Sequence, residues 1–165
     1  MTTYETIFND REWSLLVGLP QSVLSAASAM DKNTARQTFV EGEAGLTAIA
    51  DGRESGSPLV EAIANELVFR LGGDPDLGEE PPVAIVPDDT ATYVADTIGR
   101  ARQVPELLAG RVDEGEAGAY RHWLVTIAEQ VVEAVPSGGV FGIGGDQVTA
   151  TEGHFVRQLS EALGD

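Results

Sequence analysis

The signals that start an α-helix recur along the whole chain, and the signal that marks a strand does not. Asn9 and Glu12 form a capping box, in which each side chain relieves an orphan backbone donor, with Phe8 and Trp13 at the staple positions. Thr34 and Gln37 form a second box. Ser57-Pro58 opens a third helix, with proline at the first helical position, where its missing proton costs nothing. Asp88 or Asp89, Pro105, and Asp113 or Glu114 mark three further starts, and Thr149 to Glu152 opens the last helix. Stops fall at Asp51-Gly52, Gly72-Gly73 and Gly164. No segment sustains the period-2 alternation of a half-buried strand. The expectation is an all-α bundle of about seven helices.

The apolar stripes follow from the same reading. The first helix carries Trp13, Leu16, Val17, Val23 and Leu24 and ends near Met30. Pro20 lies inside it and predicts a kink or a break near Leu19, because proline removes a helical hydrogen bond and clashes with the preceding turn. Phe39, Val40, Leu46 and Ile49 form the buried stripe expected of the second helix, and Leu59, Ile63, Leu67 and Leu71 that of the third. Four of the eight prolines fall in Asp74 to Pro87, read as an extended loop, with Val83 to Val86 as a short strand lacking an obvious partner. Residues 1–165 then form one helical domain, with halves of about 1–73 and 88–165 joined by loop 74–87.

Charge narrows the function classes. Asp and Glu number 27 against 10 Lys and Arg, a formal net charge of -17, and Lys32 is the sole lysine. Self-repulsion of this size opposes compaction at low salt, and salt relieves it. An acidic, lysine-poor chain with small apolar residues suits a saline cytoplasm, so a halophilic character is expected. The same charge disfavours nucleic acid, whose binding needs a basic patch, and anionic membranes. There is no cysteine, hence no disulfide and no thiolate metal site. No apolar run reaches the roughly 18 residues of a membrane span. Met1 to Glu5 lacks the basic and apolar regions of a signal peptide, which makes the cytoplasm the expected location.

The two halves show a likeness. Trp13 and Trp123 each open an apolar helix, followed by Asp31, Thr34, Ala35, Gln37 and by Asp146, Thr149, Ala150, Glu152. The run Asp146-Gln147-Val148-Thr149-Ala150-Thr151-Glu152 resembles the acidic loop-and-cap signature of TerB-like, tellurite-resistance-associated helical domains. Leu19-Pro20 followed by Ala27-Ser28-Ala29-Met30-Asp31 resembles a first copy of it. Gln147 and Lys32 stand where that family often has glycine, and Gln37 replaces the acid of the first copy. The resemblance implies an all-helical bundle of two related halves, an acidic metal site, and a role in stress response or as an interaction module.

Candidate chemistry is sparse. Asp146 and Glu152 are the pair that could contribute to a Ca2+ or Mg2+ site, since hard cations take several oxygens. They do not make an EF-hand, because positions 3 and 12 counted from Asp146 are Val148 and Arg157. The bland reading is a helix cap plus a turn acid. Gly138 to Gly145 lacks the strand before it and the Lys-Ser/Thr after it that a phosphate loop needs. Phe141 and Ile143 on that connection are either tucked onto the core or offered as a docking point. His122 and His154 belong to no metal motif, and Ser14, Ser22, Ser25 and Ser28 to no nucleophile elbow. Glu41 and Glu43 could face Glu129 and Glu133, although a solvated acidic face is the ordinary outcome. The reading is a non-catalytic helical module acting through a protein partner or self-association, with a divalent cation in second place. The alternative is a metal-assisted enzyme with an acidic site between the halves. Converging buried carboxylates would favour the second, and carboxylates scattered over solvent the first.

Overall fold

The computed structural model describes residues 4–30, 35–72, 88–134 and 150–165. Among them there is no strand. A single turn, α1 (Tyr4–Ile7), precedes seven helices: α2 (Asp10–Ser28), α3 (Ala35–Asp51), α4 (Pro58–Leu71), α5 (Thr90–Ala101), α6 (Val104–Leu108), α7 (Glu114–Glu133) and α8 (Ala150–Leu163). The Thr34 cap, the 74–87 loop with its short strand, and the 135–149 connection lie outside the described residues. No described helix is long and apolar enough to cross a membrane.

The starts follow the side chains that supply missing acceptors. Asn9 Oδ1 accepts from the amides of Arg11 and Glu12 at 3.0 Å each, and the Asn9 amide donates to Glu12 Oε2 at 2.9 Å. Phe8 stacks on Trp13 with ring centroids 6.3 Å apart, closing the staple. Asp89 caps α5 and Asp113 caps α7, each accepting from an amide in the first turn. Gly72 and Gly164 take left-handed conformations at the ends of α4 and α8, where a side chain would be strained.

α2 is the central element, and from Ser22 to Ser28 every residue is buried. It neither breaks nor stops at Pro20. Proline cannot donate to the carbonyl four residues earlier, which leaves Leu16 O without its helical partner. The Tyr120 hydroxyl of α7 donates to that oxygen at 2.7 Å, and both residues are fully buried. Burial without a charged partner also pushes the Tyr120 phenol well above its ordinary pKa, so it stays a donor.

Two close approaches orient the bundle. Leu16 meets Tyr120, and Leu24 lies with Val131 around Gly45, so α2 and α7 run in the same direction. Gly45 faces Val131 and Gly52 faces Trp123, so α3 runs against α7. A Cβ at Gly45 would stand 2.5 Å from Leu24 Cγ and 2.8 Å from Val131 Cγ2. Only glycine allows the three helices to approach this closely. One continuous core results, drawing on Leu16 and Leu24 of α2, Ile63 of α4, Leu124 and Ile127 of α7, and Phe155 of α8. Trp13 sits in the first turn of α2, whereas Trp123 sits in the middle of α7 and does not open it.

Candidate functional site

α3 turns a different face inward from the one its large apolar residues mark. The buried positions are Glu41, Gly42, Gly45, Ala48 and Ile49. Of the expected stripe, Ile49 is buried, Leu46 and Val40 are half-buried, and Phe39 is 59% exposed. The tight crossing at Gly45 decides this, because the helix can approach α2 and α7 only along its smallest residues. Phe39 is thereby left on the same exposed stripe as Glu43 and Thr47, at i, i+4 and i+8.

The small residues leave an open trough between α3 and α7, about 590 Å³ in volume. Val40, Ala44, Thr47 and Asp51 line one wall, and Thr126, Gln130 and Ala134 the other. From Val40 to Asp51 the α3 wall runs about 16 Å at 1.5 Å per residue. Trp123 lies at one end against Gly52, where a Cβ would meet the indole at 2.6 Å. Its Nε1 donates to Ala48 O at 3.0 Å. Ala48 lies in the last turn of α3, so this bond fixes the indole against that end of the helix. Arg53 Nε donates to Ala50 O at 3.3 Å.

The carboxylates fall in two environments. Glu43, Glu129 and Glu133 are exposed. Glu41, at 3% exposure, accepts from Ser28 Oγ at 2.8 Å, which ties the end of α2 to the start of α3. Of the cation pair, Glu152 is 4% exposed in the first turn of α8, while Asp146 lies outside the described residues, as do Phe141 and Ile143. No group of three His, Asp or Glu side chains that could hold a metal ion occurs among the described residues. His122 and His154 are exposed, and His122 Nδ1 lies 3.5 Å from Asp165 Oδ2. Ser22, Ser25 and Ser28 are buried in α2, and Ser22 Oγ donates back to Gly18 O at 3.1 Å.

A smaller hollow of about 280 Å³ lies between α2 and α6, beside Arg11, Leu15, Leu107 and Arg111. Two of its charged groups, Glu12 and Arg111, are engaged with each other. Arg111 Nη1 lies 2.8 Å from Glu12 Oε2, and the guanidinium covers the Phe8 ring at 5.7 Å. The hydrogen bond from Arg111, with that from the Asn9 amide, holds the Glu12 carboxyl below its ordinary pKa. The trough beside Trp123 is therefore the more open of the two to a partner.

Sequence reasoning did not find the trough. Its trace is the run of small residues Gly42, Ala44, Gly45 and Ala48, interleaved with Phe39 and Leu46 in one helix. Two helical faces compete there, and only the neighbours of α3 settle which one turns inward. No protein-family model, no curated protein and no solved structure matches this chain.

Proposed function

We propose that the protein is a non-catalytic helical module of TerB-like type that works by protein contact, seating a helix of a partner protein in the α3–α7 trough. The observation that carries this reading is the exposed Phe39 in line with an open trough that ends on a fixed indole. An amphipathic helix laid in such a groove buries apolar residues at helical spacing. The wall length matches about eleven residues of helix. Phe39 is an exposed aromatic of the kind enriched in interfaces, and the buried Trp123 fixes the opposite end of the trough. Glu43, Glu129 and Glu133 are scattered over solvent, which favours a contact surface over a site built on converging carboxylates, while Glu41 and Glu152 are buried.

The test is amide chemical-shift mapping with a neutral, leucine-faced helical peptide of about eleven residues. Shifts are expected to concentrate on α3 from Val40 to Asp51 and on α7 from Trp123 to Ala134. Shifts spread evenly over the molecule, or none at saturating peptide, contradict the reading.

A further inference from the structure

Resting on that docking reading, we infer that the helix the trough takes is cationic along one flank, with two basic side chains about two turns apart. Glu43 and Asp51 both line the trough, both are exposed, and both belong to α3. Eight residues separate them, a spacing of about 12 Å along the axis, slightly over two helical turns. No Lys or Arg stands among the described walls, and no ion pair engages either carboxylate among the described residues. Between these acids the walls are small or uncharged: Ala44, Thr47, Ala48 and Thr126. The trough thus presents a floor of small, uncharged residues with two negative points at a fixed interval on one side. An incoming helix matches it with apolar residues inward and Lys or Arg at i and i+7 or i+8 on the flank facing α3.

Overall charge alone does not produce this match. A chain of net charge -17 attracts any cation at long range. At molar salt the Debye length falls to about 3 Å, so only pairs in close contact retain their attraction. Position within the trough then decides which cationic segment binds.

The experiment measures fluorescence anisotropy of three labelled helical peptides with one leucine face. One carries two Lys seven residues apart on the flank, one carries Glu at the same positions, and one is neutral. The Lys peptide is expected to bind tightest. Glu43→Lys/Asp51→Lys is expected to weaken it about tenfold or more, since both flank pairs are lost and reversal adds repulsion. Asp96→Lys/Glu161→Lys, with the same change in net charge at exposed positions of α5 and α8 outside the trough, is expected to leave its affinity within about twofold, as screened charges outside the contact contribute little. Equal weakening by both double variants overturns the inference. Equal binding of all three peptides, with shifts still centred on the trough, overturns the charge requirement and leaves the docking reading standing. Binding of none overturns both. A wild-type dimer on sizing in high salt, lost when Ala44→Gln/Thr47→Gln fills the trough, makes a second copy of the chain the occupant and also overturns it.

Discussion

Pro20 has no proton to give Leu16 O, and a tyrosine 100 positions later gives one instead. This pairing keeps α2 helical where its sequence alone predicts interruption. A buried carbonyl left without a partner costs about 1–3 kcal/mol, so Tyr120→Phe is expected to lose about that much stability in urea unfolding. In a Pro20→Ala background the amide of residue 20 can reach Leu16 O, and the same change is expected to cost less than half as much. Equal losses in the two backgrounds would show that the hydroxyl does not stand in for the missing amide. Pro20 was legible as a disturbance in the chain, but its remedy was not. Nothing near Tyr120 in sequence points to a carbonyl on another helix. The Asn9–Glu12 box was fully legible because every atom in it lies within four residues.

α3 carries the difference between a pattern and its context. Its large apolar residues mark one face and its glycines and alanines another, and periodicity ranks the larger residues first. The crossing with α2 and α7 reverses that order, since a Cβ at Gly45 has no room beside Leu24 and Val131. Two glycines in helix interiors should therefore respond in opposite directions to the same substitution. Gly45→Ala is expected to destabilise by about 1–3 kcal/mol through overpacking. Gly99→Ala in α5, where no atom lies within 4 Å of the added carbon, is expected to stabilise by about 0.5–1 kcal/mol through helix propensity. Thermal melts of the two variants decide it, and a stabilised Gly45→Ala would remove the argument for the inverted face. α4, α5 and α8 were easier to read because each has one dominant apolar face. Their buried residues, such as Leu59, Ile63, Leu67 and Leu159, keep helical spacing without a competing stripe.

At the scale of the molecule, the fold class was legible because helix signals recur and strand signals do not. The order of packing was not, because it depends on contacts such as Gly45 with Val131 and Trp123 with Ala48 O. The trough is a product of that packing and was invisible for the same reason. Net charge acts on the whole body at once. With 27 acids against 10 bases, the helical circular dichroism is expected to fall when KCl is lowered from molar to tens of millimolar, as self-repulsion loses its screening. An unchanged spectrum and melt would contradict the halophilic expectation. On the proposed docking reading, a partner helix sits in the space between α3 and α7. The most direct measurement fills that space and asks whether binding goes with it. Ala44→Gln/Thr47→Gln places two neutral side chains with good helix propensity on the trough wall. The melt is expected to stay close to wild type and the Lys-peptide affinity to fall about tenfold or more. Undiminished affinity in a folded, filled variant would contradict that reading.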